Sequence, residues 1–363
     1  MTLITRLARL AVLASVVALG ACKPASEAPR NSVSSADGVL RGFANVCRHR
    51  AGPLALCNGK GARALHCKYH GWSYSLEGQL RSAPEMQGAA DFDVADIRLP
   101  ALRVAEWQGL VFVAASDDVP DFQDVYGGIA ERIAPIDLAA MQFHRRDSYD
   151  IACNWKVYVD NFLEGYHLPH VHPGLSKVLD YRAYDTELLP WKSLQHSPLR
   201  DAGGANAYGD GEAFYWFVYP NVMLNILPGR LQTNRVIPLG VDRCRVLFDS
   251  YYALDASGSA DEAKRNADLA FSDEVQHEDL GICEDVQRGF ASGSYVPGRL
   301  NPLRETGVHH FHELLRAAYR EAANPAGLEA PATPDAGAAP GRSRAGWPSG
   351  SARCCAGGGT RRR

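Results

Sequence analysis

Two short pairs of cysteine and histidine lie close together near the start of the chain. Cys47 and His49 form the first pair, and Cys67 and His70 form the second. Glycine and proline residues surround both pairs and favour tight turns there. Two thiolates and two imidazoles can hold either a zinc ion or an iron–sulfur cluster. The spacing therefore predicts a metal site in a loop-rich region.

The order of the ligands favours an iron–sulfur cluster over zinc. A Rieske [2Fe-2S] cluster takes two cysteines on one iron and two histidines on the other, and its potential lies at about −150 to +300 mV. Zinc fingers usually begin with two cysteines separated by roughly two to four residues, and this region of the sequence lacks such a pair. Because a Rieske cluster transfers single electrons, we expect a second centre that receives them.

A second set of ionisable residues follows farther along the chain. In a segment with helical character, Asp160, Glu164 and His167 fall on one face, and Asn161 lies beside them. Three ionisable groups on one helical face form either a solvated surface or a binding site. The aromatic neighbours and the histidines that follow favour a binding site.

The histidines of this segment supply part of a second metal site. Two histidines and one carboxylate on one face of an iron, with open coordination positions, are typical of mononuclear non-haem oxygenases. Helical spacing pairs His167 with His170. His167 would converge with His172 instead if the helix breaks, and Pro169 favours such a break. The residue pattern alone leaves both pairings open.

The carboxylate ligand is expected from a long helix over residues 261–290. Asp279 falls within the apolar stripe of this helix, and Glu278 and Asp285 lie at the edges of the stripe. A carboxylate that faces a core is costly unless it is paired or bound to a metal. The alternative is a surface acid that a small shift of the helix boundary would place in solvent. The predicted stripe consists of Phe271, Val275, Ile282, Val286 and Phe290.

Hydrophobic patterns predict two domains of different character. Short strands with frequent turns fill residues 38–116, and a mixed segment of strands and helices follows. Strands with two or three helices on one face make an α+β domain. The expected strands of the second domain cover residues 143–153, 214–227 and 236–252, and the expected helices cover residues 155–166, 261–290 and 313–322.

These motifs together resemble the α subunit of Rieske non-haem iron ring-hydroxylating oxygenases. The resemblance covers about residues 38–318 and rests on residues 45–50 with 67–72, on 154–172 and on 278–289. It implies an α+β fold with an N-terminal antiparallel β Rieske domain and a C-terminal helix-grip catalytic domain, assembled as a head-to-tail homotrimer. The Rieske domain looks truncated, because a leader replaces the family's first strands and their tryptophan-containing segment.

The resemblance also assigns roles to both sets of ligands. It implies that the cluster is held by Cys47, His49, Cys67 and His70, with both cysteines on one iron. For the catalytic iron it implies His167, His172 and Asp279, because the family's histidine spacing matches His172. Glu164 matches the carboxylate that links a catalytic histidine to a cluster histidine of the neighbouring subunit. Asn161 matches an asparagine near the iron.

The implied activity is that of a terminal oxygenase. Electrons from NAD(P)H would arrive through a separate flavin and iron–sulfur reductase, directly or through a ferredoxin, and pass through the cluster. With O2 as co-substrate, the mononuclear Fe(II) would hydroxylate an aromatic compound, as in aromatic hydrocarbon catabolism, or a quaternary ammonium compound. The family usually has aspartate at the position of Glu164, and glutamate there resembles members that act on quaternary ammonium compounds. Monooxygenase and dioxygenase activity both stay open.

Aromatic residues near the middle of the chain are candidates for the substrate pocket. The aromatic run at residues 214–217, with Tyr219, Asn221 and Trp191, could line a site for an aromatic ring or a box for a quaternary ammonium ion. From this set, Phe214, Trp216, Tyr219 and Asn221 are assigned to the pocket. The alternative is an ordinary strand that packs alternate aromatic side chains into a core.

Both ends of the sequence differ from the middle. Residues 1–30 combine a basic start, a short apolar stretch and a lipobox-like segment at Cys22, and residues 324–363 are rich in glycine, alanine, proline and arginine. We expect both ends to lie outside the fold, which leaves residues 31–124 for the Rieske domain and 125–323 for the catalytic domain. A cytoplasmic location is expected, because iron–sulfur clusters are inserted there. A lipid anchor at Cys22 is the alternative if the leader is genuine.

Composition argues against a nucleic-acid-binding protein. The net charge is −3, and basic residues gather at the two ends, which leaves the part between them acidic. The alternative function is an electron carrier without oxygen chemistry, either a Rieske protein or a truncated, lipoprotein-like product. Such a carrier needs only the first motif, so the second ligand set favours an oxygenase.

Overall fold

Two small antiparallel sheets form the first part of the protein. The structure, a computed structural model, describes residues 37–56, 59, 61–114, 116–200, 211–254 and 261–323, together with the backbone of 13–15. The strands are β1 (Leu13–Ser15), β2 (Gly42–Phe43), β3 (Leu65–His66), β4 (Ser73–Tyr74), β5 (Leu80–Ser82), β6 (Ala101–Trp107) and β7 (Leu110–Ala114). One sheet has the order β1-β7-β6-β2, and the other has the order β3-β4-β5.

The leader contributes one strand to the first sheet. β1 pairs antiparallel with β7, and Leu13 lies opposite Ala114. The unpaired edge of a strand such as β7 can bind an extended segment through backbone hydrogen bonds alone. This pairing differs from the expectation that residues 1–30 lie outside the fold. The rest of the leader, with Cys22, and the tail at 324–363 lie outside the described residues, so the domain bounds stay predictions.

A seven-stranded antiparallel sheet is the framework of the second part. Its strands are β8 (Gln142–Ile151), β9 (Asp185–Leu189), β10 (Lys192–Pro198), β11 (Glu212–Val218), β12 (Val222–Leu227), β13 (Arg230–Pro238) and β14 (Cys244–Tyr252). They follow the order β8-β14-β13-β12-β11-β10-β9, so the first strand pairs with the last. The helices are α1 (Phe122–Tyr126), α2 (Ile129–Arg132), α3 (Trp155–Phe162), α4 (Leu168–Val171), α5 (Leu175–Val178), α6 (Glu262–Ala291) and α7 (Thr306–Ala323). Among the helices in the described ranges, none is long and apolar enough to cross a membrane.

The two faces of this sheet pack into separate cores. Along β11, Phe214 and Trp216 belong to a core that includes Phe112 of β7. Phe217 belongs to the core on the other face, where its ring lies 5.5 Å from that of Phe311 in α7. Successive side chains of a strand point to opposite faces, which explains this division. The sheet therefore lies between the strands of the first part and helices α3, α6 and α7.

Helix α6 lies within one residue of its predicted bounds, but the face that it buries is rotated. Val286 and Phe290 of the predicted stripe are 40% and 43% exposed, whereas Leu269, Gln276 and Cys283 are buried. These three residues recur every seven positions, and one of them is polar. Hydrophobicity alone therefore does not reveal the buried face of this helix.

Several other elements differ from their predicted bounds. Residues 214–227 and 236–252 were each predicted as one strand-like segment, but each contains parts of two strands joined by a turn. Helix α3 ends at Phe162, and helix α7 begins at Thr306 instead of residue 313. The early start of α7 includes Gly307, a weak helix former, and the buried residues Val308 and Phe311. Tertiary packing stabilises this turn more than its helix propensity does.

Candidate metal centres and cavity

The four cluster residues lie on two loops with the same backbone geometry. The N–H groups of Cys47 and Cys67 each donate to the carbonyl five residues later, at 2.9 and 2.8 Å. Ala51 and Gly71, four residues after each cysteine, donate back to that cysteine's carbonyl at 3.0 Å and have φ values of 59° and 74°. A positive φ of this kind lets each loop turn back on itself. The repeated geometry explains how two separate segments can present equivalent ligands.

The side chains of these loops meet in an arrangement that fits a [2Fe-2S] cluster. The ring centroids of His49 and His70 are 4.6 Å apart, and Cys47 and Cys67 carry buried, free thiols. Among the residues that the structure describes, the buried Nδ1 atom of His49 has no hydrogen-bond partner. A buried polar atom without a partner is unfavourable unless another ligand satisfies it. Two thiols and two imidazoles, one of them unsatisfied, match the donor set of a Rieske cluster.

Two aromatic residues support the cluster loops. The Tyr74 hydroxyl lies 3.2 Å from Sγ of Cys47 and accepts a hydrogen bond from the N–H of Arg48 at 3.0 Å. Burial raises the pKa of Tyr74, so the hydroxyl keeps a proton that it can donate to the sulfur. Trp72 stacks on His49 with the ring centroids 4.8 Å apart. These contacts fix one thiol and one imidazole of the candidate cluster site.

The second group of ligands follows helix α3. Asn154 caps the start of this helix through its side chain, and the helix ends at Phe162. The chain then turns and enters the short helix α4, with Pro169 in its first turn. His167 and His172 flank α4 at its two ends. The break before Pro169 therefore brings together two histidines that one continuous helix would separate.

His167 and His172 converge with Asp279 of α6. The candidate ligand atoms of these three residues lie within 4.8 Å of one another. Nε2 of His172 is 3.0 Å from Oδ1 of Asp279, and Nε2 of His167 is 3.8 Å from the same oxygen. His172 is 1% exposed, whereas His170 is exposed at the surface. The geometry therefore favours His172 over His170 and fits a two-histidine, one-carboxylate iron site.

A carboxylate holds each histidine at the nitrogen that faces away from Asp279. Oε1 of Glu164 lies 2.6 Å from Nδ1 of His167, and Oε2 of Glu278 lies 2.6 Å from Nδ1 of His172. Such contacts orient a histidine and leave Nε2 available to a metal. Sequence reasoning placed Glu278 only at the edge of a helical stripe, because no local spacing connects it with His172.

The charge around His172 suits a bound cation. Burial lowers the pKa of His172, but its hydrogen bonds to Asp279 and Glu278 outweigh this effect and raise the pKa. A raised histidine pKa means that positive charge is stabilised at this point. Fe(II) bound to the neutral imidazole would supply that positive charge.

Two adjacent residues of α3 have different partners. Nδ2 of Asn161 donates to Oδ1 of Asp279 at 2.7 Å, as expected for an asparagine near the iron. Asp160 instead approaches Nε2 of His312 in α7 at 3.0 Å. One residue step rotates a side chain by about 100° around a helix, which explains the divergence. Asp160 therefore lies outside the group of candidate iron ligands with which the helical pattern had placed it.

A cavity that is partly open to solvent lies beside the three candidate ligands. It is lined by residues of α3 to α6 and of the strands β11 to β14. The aromatic residues of the lining are Tyr158, Phe162, Tyr184, Tyr215, Phe248 and Phe271. Apart from the candidate ligands and from Asn161 and Glu164, the polar residues of the lining are Asn225, Arg230, Gln232, Asn234, Ser272 and Gln276.

The residues predicted to form the substrate pocket lie elsewhere. Phe214 and Trp216 pack on the opposite face of β11, and Tyr219 packs against the core beside α7. The side chain of Asn221 donates to a backbone carbonyl of β13 at 2.7 Å. In the cavity wall that the structure describes, β11 contributes Tyr215 instead. Four consecutive aromatic residues in β11 conceal its period of two, so the sequence could not show which alternate residues face the cavity.

Comparison with known families distinguishes an oxygenase from an electron carrier. The family model for the catalytic domain of the ring-hydroxylating α subunit matches residues 138–321, about half of the chain. The model of the Rieske [2Fe-2S] domain matches residues 26–100. The chain belongs to the ring-hydroxylating α-subunit family. Because this family's catalytic domain accompanies the Rieske domain, the chain is a Rieske-type oxygenase and more than an electron-transfer protein.

Curated relatives of this family member include two kinds of monooxygenase. The chloroplastic choline monooxygenase of Arabidopsis thaliana is 39% identical over 298 residues, which cover 77% of this chain and 68% of the relative. The carnitine monooxygenase oxygenase subunit of Escherichia coli (strain K12) is 29% identical over 303 residues, which cover 80% of each chain. The chain spans about two thirds of the length of the plant choline monooxygenases that it matches.

Solved structures confirm the predicted fold class. A quaternary ammonium Rieske monooxygenase matches with a TM-score of 0.70 and 26% identity over 78% of this chain and 80% of that one. A naphthalene 1,2-dioxygenase has the same fold, with a TM-score of 0.57 and 18% identity over 78% of this chain and 79% of that one. The protein thus combines a Rieske domain with an α+β catalytic domain. Its family uses a Rieske [2Fe-2S] cluster and a mononuclear iron, with O2 as co-substrate.

Proposed function

We propose that this chain is a terminal oxygenase component that hydroxylates a quaternary ammonium compound. The observation that carries the proposal is the cavity beside His167, His172 and Asp279, because it offers aromatic rings to a cation next to a candidate iron site. Curated relatives named for choline and for carnitine support the same substrate class.

Aromatic rings in the cavity support recognition of a cation without a hydrogen-bond donor. A quaternary ammonium group is attracted to the faces of aromatic rings through their quadrupoles. Tyr184 and Phe271 line the cavity, and each ring packs closely on a glycine, Gly165 and Gly174 respectively. The Tyr184 hydroxyl also donates to Oε1 of Gln195 at 3.1 Å. These contacts hold two ring faces in place before a substrate arrives.

An aromatic hydrocarbon is the second candidate substrate, and the polar lining of the cavity disfavours it. Asn234 and Gln276 are each 2% exposed and line the same cavity, and among the described residues Oδ1 of Asn234 and Nε2 of Gln276 have no hydrogen-bond partner. A hydrocarbon would leave both atoms without a partner, which is costly. The polar lining therefore favours a substrate that carries a polar group as well as an ammonium.

The side chains around the candidate iron site have separate tasks. Iron held by His167, His172 and Asp279 would activate O2 for hydroxylation when an electron arrives from the cluster. Glu164 and Glu278 hold the two imidazoles in the orientation that leaves Nε2 for the metal. Apolar residues on the α4 and α5 side of the cavity exclude water from the reacting carbon; these are Leu168, Leu175, Val178 and Leu179.

Electron supply is proposed to involve a reductase and neighbouring copies of this chain in a homotrimer. His70 is exposed at the end of the cluster loop, where a second protein chain can reach it. Glu164, whose side chain is 12% exposed, already contacts His167 of the catalytic site. We propose that Glu164 of one copy accepts a hydrogen bond from His70 of a neighbour, which gives the electron a short path. A flavin and iron–sulfur reductase, directly or through a ferredoxin, would reduce the cluster from NAD(P)H.

A cytoplasmic location completes the proposal. The support is the candidate [2Fe-2S] site, because iron–sulfur clusters are inserted in the cytoplasm. Cys22, the site of the alternative lipid anchor, lies outside the described residues.

Turnover with defined substrates tests the proposed function. Holoprotein is mixed with a Rieske-oxygenase reductase, NADH and O2, and choline, carnitine or naphthalene is added in separate reactions. We expect product formation coupled to O2 consumption with a quaternary ammonium compound. The Asp285→Ala variant, which alters an exposed acid on α6, should match the wild type. Coupled turnover of naphthalene without turnover of either ammonium compound would contradict the proposal.

A further inference from the structure

Helix α6 and strand β13 contact each other beside the cavity through pairs of polar residues. Nε of Arg230 lies 2.8 Å from Oδ2 of Asp268, and both side chains are buried. Nε2 of Gln232 donates to Oγ of Ser272 at 2.9 Å. The strand residues are two positions apart and the helix residues are four positions apart. Each contact therefore forms one step of a polar ladder between the strand and the helix.

The spacing of the two elements predicts the next step of this ladder. Two residues along a strand cover about 6.8 Å, and four residues along a helix cover about 6.0 Å, so the two elements stay in register. The next residues are Asn234 on β13 and Gln276 on α6. Both are 2% exposed, and both line the cavity. Gln276 lies three residues before Asp279, or about 4.5 Å along the helix axis from a candidate iron ligand.

This third step differs from the first two because it is incomplete. Oε1 of Gln276 accepts a hydrogen bond from the Tyr158 hydroxyl at 2.8 Å, which orients the amide. Within the described part of the chain, neither Nε2 of Gln276 nor Oδ1 of Asn234 has a hydrogen-bond partner. Buried polar atoms of this kind are unfavourable until a ligand or water satisfies them. One atom is a donor and the other is an acceptor, and they face the same cavity.

We propose that Gln276 and Asn234 bind a hydroxyl group of the substrate beside the candidate iron site. A hydroxyl can accept a hydrogen bond from Nε2 of Gln276 and donate one to Oδ1 of Asn234, so it satisfies both atoms. The inference rests on the proposed function and narrows its substrate class to quaternary ammonium alcohols. The aromatic rings bind the ammonium end, and the two amides select the hydroxyl end.

A carboxylate could not satisfy both Nε2 of Gln276 and Oδ1 of Asn234. It is only an acceptor at neutral pH, so one of its oxygens would face the oxygen of Asn234 without a proton between them. A buried carboxylate also needs a cation, and the guanidinium of Arg230 is already paired with Asp268. The oxygen of Asn234 and the pairing of Arg230 with Asp268 therefore disfavour a substrate with a carboxylate in place of the hydroxyl.

Equilibrium binding to the wild-type holoprotein tests this selection directly. Anaerobic calorimetric titrations compare choline, ethyltrimethylammonium, which lacks the hydroxyl, and trimethylglycine, which carries a carboxylate instead. We expect choline to bind at least about tenfold more tightly than either analogue, since each analogue leaves a buried amide unsatisfied. Equal affinity for choline and ethyltrimethylammonium would show that water, and not the substrate hydroxyl, satisfies Gln276 and Asn234, and it would overturn the inference. In that case the proposed function would stand, whereas failure of all three compounds to bind would reject the proposed function itself.

Two leucine variants test whether Gln276 and Asn234 cause the preference for choline over ethyltrimethylammonium. Gln276→Leu and Asn234→Leu should each weaken choline binding by about tenfold without weakening the binding of ethyltrimethylammonium, which then no longer leaves that amide unsatisfied. Retained binding of ethyltrimethylammonium also shows that the variant is folded. Gln142→Leu, an exposed position on β8, is the matched control and should change neither affinity. A choline affinity that both leucine variants retain would overturn the inference.

Discussion

Glu278 holds Nδ1 of His172 at 2.6 Å, although the two residues are 106 positions apart in the chain. The next residue, Asp279, approaches Nε2 of the same ring at 3.0 Å. Adjacent positions on α6 thus supply one candidate iron ligand and the group that orients another. Because Nδ1 is occupied by a carboxylate, Nε2 is the nitrogen that remains for a metal. This relationship couples the position of the helix to the geometry of the metal site.

Loss of the Glu278 carboxylate should weaken iron binding. Glu278→Ala removes the group that orients His172, and such contacts typically contribute about 10–100-fold to metal affinity. Competition with an Fe(II) chelator measures the change. Glu274→Ala, which alters an exposed acid one turn earlier on α6, should retain the wild-type affinity. Equal iron affinity in both variants would show that Glu278 does not support the site.

Glu164→Gln should slow electron delivery while both metal centres stay filled. A carboxylate can accept hydrogen bonds from two imidazoles at once, whereas an amide has one acceptor and one donor group. His167 can keep its contact, but a second imidazole loses its acceptor. We expect reoxidation of the reduced cluster, in the presence of choline and O2, to slow by about 10²-fold or more. Stopped-flow absorbance measures this rate, and a rate equal to the wild type would argue against a bridging role.

The Tyr74 hydroxyl should raise the reduction potential of the cluster. A hydrogen bond to a ligand sulfur stabilises the reduced form, and the hydroxyl lies 3.2 Å from Sγ of Cys47. Tyr74→Phe should therefore lower the potential in a redox titration followed by EPR. Tyr69→Phe, in the same loop region at an exposed residue, is the control and should leave the potential near the wild-type value. An unchanged potential in Tyr74→Phe would contradict the assigned hydrogen bond.

Gly165 is expected to tolerate no side chain. A Cβ atom at this position would lie 2.7 Å from the Tyr184 ring, which Gln195 holds through its hydroxyl. Gly165→Ala should lower the free energy of unfolding by about 1–3 kcal/mol through overpacking. Gly281→Ala is the matched control on α6, where a Cβ would meet no described atom within 4 Å. The free energy of unfolding of Gly281→Ala, measured in urea, should rise by about 0.5–1 kcal/mol. A similar rise in Gly165→Ala would show that the Tyr184 ring leaves room for a side chain.

Sequence spacing predicted the cluster ligands because each pair lies within a single short loop. Cys47 with His49, and Cys67 with His70, need only a local turn to converge. His172 was harder to assign, since its choice over His170 depends on the break before α4. The resemblance to the family selected His172, and the structure brings it to Asp279.

Contacts between distant elements could not be read from local patterns. Glu278 contacts His172 only because α6 packs across the loop that follows α3. Tyr215 faces the cavity because β11 presents alternate residues to it, and four adjacent aromatic residues hide this alternation. Asn234 and Gln276 are recognised as neighbours in the cavity wall only when the register of β13 against α6 is known. Such relationships depend on tertiary packing, which periodicity within one element does not encode.

We expect His167, His172 and Asp279 to hold an iron that is separate from the Rieske cluster and needed for oxygenation. Metal and sulfide analysis of Asp279→Ala, with the Rieske visible spectrum and product formation measured on the same sample, distinguishes the two iron centres. The wild type should contain about three irons and two acid-labile sulfides per chain. The variant should lose about one iron, keep both sulfides and the Rieske spectrum, and form no product. Retained turnover with choline in Asp279→Ala would show that Asp279 does not hold an iron needed for oxygenation.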